Sequence, residues 1–398
     1  MPPRNGFQHQ TYPTVPVIRP VQRTLEIDDG QSTDFSVLHT RLGYGHVVLV
    51  HGTFMGNDGF GIAATLRDMA GGSDFLQSKL EALADEFQSR GKSVVDRVAG
   101  EYGNYTDKFR DAFQQLVGDD PVIRLMEPTW SGQNHHLARA DLAVRLLCLL
   151  DDLRPGEFQR ALLWGHSHAG NGFAILTNLL ANDPASVDRF FGIASLADAP
   201  HWQRAREILG RVQGPHPYAR FTDIAAFGTP VRYGWDTSGC GALVHILHHR
   251  NFDPADPWRT HPLFPPQPVA DITRARYGDW IQAFGIAGTD LTPPTRKEAS
   301  AAMGKLLETG LPAPQHGLDT RFLPLKRVRD ACARWKTGTR CHTDGWNLLV
   351  DYKPSGRKAQ LVLPIEEVLL GHGVATVIDW LPSHLALVTR ALQRLRPA

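Results

Sequence analysis

Residues 161–172 read Ala-Leu-Leu-Trp-Gly-His-Ser-His-Ala-Gly-Asn-Gly, and this stretch decides the fold. The apolar run Ala161 to Trp164 reads as a buried strand. Gly165, His166, Ser167, His168 and Ala169 then form a small-x-Ser-x-small turn, and Phe173 to Leu180 read as a helix. A strand that turns sharply into a helix around one Ser is a nucleophile elbow. Small neighbours tolerate the strained backbone, and the hydroxyl stands clear at the strand tip, beside the positive end of the helix.

Outward from this turn, strands and helices alternate. Val21 to Asp28 and Asp34 to His39 read as strands flanking Asp29-Gly30. His46 to Val50 is the β-branched run of a buried parallel strand, ending in His51-Gly52-Thr53-Phe54. Val122 to Met126 reads as a strand leading to Trp130-Ser131-Gly132, and Leu137 to Leu153 as an amphipathic helix. After the elbow, strands are expected at Thr222 to Gly228, Leu243 to His248, Asp279 to Gly288 and Gln360 to Leu363. A closing helix is expected at Val377 to Leu395. This alternation predicts an α/β fold, a mostly parallel sheet with helices on both faces. Residues 1–20, with five Pro, read as a loose arm before a single domain over 21–398. Two helical and loop-rich insertions are expected, at about 55–120 (with helices at Phe75 to Arg90 and Tyr105 to Val117) and at 291–358. Such sheets place their chemistry at the carboxyl ends of the strands, where the motifs above fall.

Composition bounds the rest. The chain has 398 residues, 42% of them hydrophobic, enough for one large α/β domain with insertions. A net charge of +1 gives no electrostatic case for nucleic acid, and Lys326 to Arg329 is a short solvated face. Four Cys stand at 148, 240, 332 and 341. Cys148 reads as a buried thiol, and Cys332 and Cys341 pair only in an oxidising compartment. Met1 to Pro20 lacks the apolar segment of a signal peptide, and no stretch approaches the ~20 apolar residues of a membrane span. A soluble, cytoplasmic protein is expected, with signal-independent export left open.

An acyl-transfer site needs a nucleophile, a base, an orienting acid and an oxyanion hole. Ser167 is the nucleophile candidate, inert unless an imidazole takes its proton. His166 and His168 point elsewhere around an elbow and read as packing or pocket-lining groups. His372, in Leu370-Gly371-His372-Gly373, lies in a flexible loop between the last strand and the last helix and is the base candidate. Its rival is His384, inside that helix. The acid is expected between Ser and His in the chain. Asp290 fits at a strand end, with Asp253 and Asp256 as rivals and a turn-capping role as the plain alternative for each. The oxyanion donors are expected to be the backbone N–H of His168 and one from Thr53 or Phe54, where Gly52 permits close approach. His245-x-x-His248-His249 has metal-like spacing, but on a strand His248 faces away from the other two, so packing is the expected role. Cys332, Cys341 and His342 lack a fourth zinc ligand, and Gly52, Gly56, Gly59 and Gly61 do not make a dinucleotide fingerprint.

Together these residues resemble the α/β-hydrolase superfamily, most closely its bacterial lipase- and esterase-like branch. The likeness rests on His51-Gly52, on Trp130-Ser131-Gly132-x-Asn134 before an Arg-containing helix, and on Gly165-His-Ser-His-Ala-Gly170. Gly228-Thr-Pro230, Gly288-Thr-Asp290 and the late His372 extend it over roughly residues 40–395. Ala169 stands where the family usually has Gly. The resemblance implies a serine hydrolase that cleaves carboxylic esters, of small molecules or lipids, through a Ser167-His372-Asp290 triad and a covalent acyl-enzyme. No metal and no organic cofactor is expected. Acyl transfer or amide hydrolysis with the same groups, and a non-catalytic binding module on this fold, are the alternative readings.

Overall fold

The run Gly45-His-Val-Val-Leu-Val50 folds as a strand because alternate side chains are needed on both sides of one sheet. Val48 and Val50 enter one apolar core, Val47 and Leu49 the other. The same division recurs in the elbow strand, where Ala161 and Leu163 face one core, Leu162 and Trp164 the opposite one. Strands covered on both faces read as continuous apolar runs, and this is why they were legible.

The computed structural model describes residues 6–7, 21–26, 34–53, 103–118, 122–193, 199–250, 274–282, 290, 292–308, 343–353 and 371–396. Its strands are β1 (Val21–Glu26), β2 (Tyr44–Val50), β3 (Arg124–Met126), β4 (Arg160–His166), β5 (Thr222–Phe227), β6 (Ala242–His248) and β7 (Trp346–Lys353). They form one sheet in the order β1-β7-β6-β5-β4-β2-β3, and every pairing is parallel. Helices α1 (Val37–Thr40), α2 (Asp107–Val117), α3 (His136–Leu153), α4 (Ala169–Ala181), α5 (Pro184–Phe191), α6 (Pro200–Gly210), α7 (Lys297–Leu307) and α8 (Leu381–Leu395) accompany it. One face is covered by α3, α4, α6 and α7, through residues such as Leu142, Phe173, Ile208 and Met303. The other is covered by α2 and α8, through Phe109, Phe113, Leu385 and Val388. From β2 the chain runs out to β3, returns to β4 on the other side of β2, and continues through β5 and β6 to β7. The reversal lies between β2 and β4, and ligands of open α/β sheets bind beyond the carboxyl ends of the strands at such a reversal.

Several sequence expectations need correction. Asp34 to His39 is not a strand: the Asp34 carboxylate accepts from the Ser36 N–H at 2.9 Å and starts a turn that runs into α1. Residues 291–358 are not an insertion outside the sheet, because they contain α7 and β7, and β7 lies between β6 and β1. Asp279 does not begin a strand. It follows a bridge between His249 and Gly278, and the backbone after it turns helical. The arm is not loose throughout. Phe7 is buried, stacks on Phe190 with ring centroids 5.8 Å apart, and its N–H donates to Asn178 Oδ1 at 2.7 Å. In the expected insertion at 55–120, α2 packs on the sheet, while residues 54–102, including the helix expected at Phe75 to Arg90, lie outside the described residues, as does the strand expected at Gln360 to Leu363. Cys148 and Cys240 are buried free thiols, and Cys332 and Cys341 lie outside the described residues. Among the described residues, no helix is long and apolar enough to cross a membrane.

Candidate active site

Ser167 follows directly on β4 and precedes α4, and its φ is +58°. A left-handed conformation is uncommon for a residue with a Cβ and costs of order 1–3 kcal/mol. The surrounding backbone enforces it: the Ser167 N–H donates to the Phe227 carbonyl at 2.8 Å, and its own carbonyl accepts from the Gly170 N–H at 3.1 Å. Gly52, at the end of neighbouring β2, completes the turn's surroundings. A Cβ on Gly52 would lie 2.8 Å from Ser167 Cβ, so only glycine lets the two strand ends approach this closely. His168 caps the start of α4, where the first N–H groups of a helix have no partner within it. Thr53, half-buried, stands in the turn after β2, and Phe54 lies outside the described residues. The positive end of the 13-residue α4 thus begins beside the Ser167 hydroxyl.

His372 meets this corner from the loop before α8. Its Nδ1–H donates to Asp279 Oδ2 at 2.6 Å, and both groups are almost wholly buried. The other oxygen of Asp279 accepts from the Gln282 N–H at 2.7 Å, and the Gln282 side chain donates to the Thr229 carbonyl at 2.9 Å. The carboxylate is therefore fixed in one orientation. Gly228, after β5 and at φ +56°, makes room for the pair. A Cβ there would lie 2.8 Å from Asp279 Oδ2 and 3.3 Å from the His372 ring. The His372 ring lies against His166, the residue before Ser167, with ring centroids 4.4 Å apart.

The acid expected at Asp290 is a correction. Asp290 does not bond His372; it bonds the Arg139 guanidinium, the Arg232 guanidinium at 2.7 Å and His136 Nε2 at 3.2 Å. Arg232 also pairs with Glu308. Burial opposes the charge on Asp290, but Arg139 and Arg232 outweigh it and hold the carboxyl well below the usual range. This is an ion-pair cluster joining α3, the loop after β5 and the two ends of the α7 segment. Ligand atoms of His136, Asp290 and Glu308 lie within 4.8 Å of one another, close enough for a metal. Two buried guanidiniums already balance the two carboxylates, so the donor set fits an ion-pair network better than a cation. Asp253 and Asp256 lie outside the described residues.

The remaining histidines sort by partner. His384, the rival base, is fully buried, shares a 2.8 Å hydrogen bond with the Tyr352 hydroxyl, and is pushed down to about 3 by burial. It is engaged in the core, packed against Phe227 and Tyr352 with ring centroids 5.2 and 5.5 Å away. His245 donates to the Asp344 carbonyl at 3.0 Å and His248 to the Gly371 carbonyl at 2.7 Å, so these two are held by backbone rather than gathered round an ion. His168 is buried, and its Nδ1 accepts from the Asn171 amide at 3.0 Å. His51 stacks on Trp130 at 5.5 Å, lining the approach after β2.

Asp279 is the residue that sequence reasoning missed. The signal was present in Tyr277-Gly278-Asp279, a turn between Ser167 and His372 in the chain, but the apolar residues after it read as one strand. Chemically, the arrangement sets a constrained Ser at a helix N-terminus and an imidazole, oriented by a buried carboxylate, at the carboxyl edge of one sheet. Compared with known proteins, the chain matches no family model, no curated protein and no solved structure.

Proposed function

We propose that this protein is a serine hydrolase of carboxylic esters built on an α/β-hydrolase fold, with Ser167, His372 and Asp279 as its triad. The observation that carries the reading is the left-handed Ser167 in a strand–turn–helix, with a His372–Asp279 pair beside it. The strand order supports it as well. The nucleophile follows β4 next to the reversal, the acid follows β6, and the base follows β7, in the chain order Ser, Asp, His.

In this reading Ser167 Oγ attacks the ester carbonyl carbon and passes its proton to His372 Nε2. Asp279, bonded to Nδ1–H, holds the ring in the tautomer that leaves Nε2 free and stabilises the imidazolium once it forms. The carbonyl oxygen becomes an oxyanion and accepts from the His168 N–H and from the N–H of Thr53 or Phe54. The imidazolium returns its proton to the departing alkoxide. Water then attacks the acyl-enzyme by the same path, with His372 again as base. The substrate is a small-molecule or lipid ester.

A fluorophosphonate probe tests this directly. The expected result is one phosphonyl adduct on the peptide containing Ser167, and no adduct in Ser167→Ala, which should keep its fold and lose several orders of magnitude in ester turnover. A wild-type chain that neither labels nor hydrolyses a panel of esters of graded acyl length would make this a non-catalytic member of the fold. Labelling that persists in Ser167→Ala would place the nucleophile elsewhere.

A further inference from the structure

Two buried histidines outside the triad meet the loop that carries His372. His166 is the last residue of β4, and its Nε2 lies 3.0 Å from the His372 carbonyl oxygen. His248 is the last residue of β6, and its Nδ1 lies 2.7 Å from the Gly371 carbonyl oxygen. β4 and β6 are not neighbours; β5 runs between them. The two side chains therefore reach the loop from opposite sides of β5, and Gly228 at the end of β5 leaves the gap that the His372 ring occupies.

We propose that His166 and His248 are positioning residues that clamp two consecutive carbonyls of the base loop and so set the direction of the His372 imidazole. This rests on the reading of His372 as the base. A carbonyl oxygen only accepts, so each histidine must present an N–H to it. The clamp thus requires opposite tautomers, a proton on Nε2 of His166 and on Nδ1 of His248. Burial favours the neutral ring in both cases: it drives His166 well below the ordinary histidine range, with the neighbouring His372 adding to the effect, and His248 down to about 3. Fixing two successive peptide planes fixes the Cα–Cβ direction of His372, and hence whether Nδ1 meets Asp279 while Nε2 faces Ser167. A misplacement of about 1 Å at such a group can cost about 100-fold in rate.

Amide isosteres separate a donor role from a space-filling one. A Gln amide nitrogen occupies nearly the place of a His Nε2, and an Asn amide nitrogen nearly the place of a His Nδ1. His166→Gln and His248→Asn should therefore keep most of kcat, within about fivefold, while His166→Asn and His248→Gln, with the wrong reach, and the two Leu variants should lose about 10–100-fold in kcat with KM little changed. A second readout does not depend on activity. The proton between His372 and Asp279 should give a far-downfield NMR signal, identified by its loss in Asp279→Asn. It should persist in the donor-retaining variants and broaden or vanish in the others. Equal behaviour of Gln and Asn at either position, or folded Leu variants that keep both kcat and the signal, would overturn the clamp. If a Leu variant does not fold, the Gln–Asn contrast at that position decides. If the wild-type chain neither labels with fluorophosphonate nor hydrolyses esters, the catalytic reading fails, and the NMR pattern alone judges the clamp.

Discussion

Asp279 is a buried carboxylate and Asp290 a partly buried one, both near the carboxyl edge of the sheet, and their partners separate them. Asp279 faces one imidazole and one backbone N–H; Asp290 faces two guanidiniums. Asp279→Asn should therefore lower turnover by up to about 10⁴, because the amide favours the wrong tautomer of His372. Asp290→Asn should act on the fold instead. It leaves Arg139 and Arg232 short of a counter-charge, and breaking a buried pair in this way costs about 3–5 kcal/mol. Chemical denaturation together with steady-state kinetics of the two variants checks this. Equal losses of kcat at equal stability would return Asp290 to the catalytic set. The sequence pointed to Asp290 because Gly288-Thr289-Asp290 closes an apolar run, as a strand end does. What disqualifies it are Arg139 on α3 and Arg232 after β5, brought to it by tertiary packing and invisible in local pattern. The strand–turn–helix carrying Ser167 and His168, and the loop carrying His372, were legible because their signals, small neighbours and a helix start, are local.

Among the elements, α3 and α4 show how the elbow is held in place. Gly172 faces Leu142, and a Cβ on it would lie 2.5 Å from Leu142 Cδ2. Gly172→Ala should overpack this contact and destabilise the fold by about 1–3 kcal/mol, lifting the N-terminal turn of α4 that carries the elbow. Adding Leu142→Ala should return part of that loss, a positive coupling that a double-mutant cycle measures. Strict additivity would show that α4 tilts freely. The long apolar elements β2, β4, β5, β6, α3 and α8 were readable because both sheet faces are covered. β7 was not: near the sheet edge it carries half-buried Trp346 and Asp351 and exposed Lys353, so its sequence lacks a continuous apolar run. Its short core, Leu348 to Val350, is indistinguishable locally from a stretch of loop.

For the whole molecule, the histidines set an acid limit. Burial pushes His135, His136 and His245 down to about 4, and His248 and His384 down to about 3. An unfolded chain takes up these protons near pH ~6.5, whereas the folded chain refuses them until about 3–4. The folded form therefore holds fewer protons across that window, and stability is greatest above it and falls as the pH drops through it. Asp290, also held below its ordinary range, extends the loss at still lower pH. Urea midpoints taken from pH 7.5 to pH 4 should fall steadily, and His245→Asn should flatten part of the slope. A midpoint constant between pH 7 and pH 5 would mean that these rings protonate without unfolding. The sheet also has a consequence for how the chain is made. Val21 in β1 lies opposite Leu348 in β7, and among the described residues β7 is the partner of β1 in the sheet. With synthesis at about 5–20 residues per second, roughly 330 intervening residues keep β1 waiting on the order of 15–65 s for its mate. During translation it lacks that partner and offers an open edge to foreign strands, so a need for a chaperone should be felt at β1.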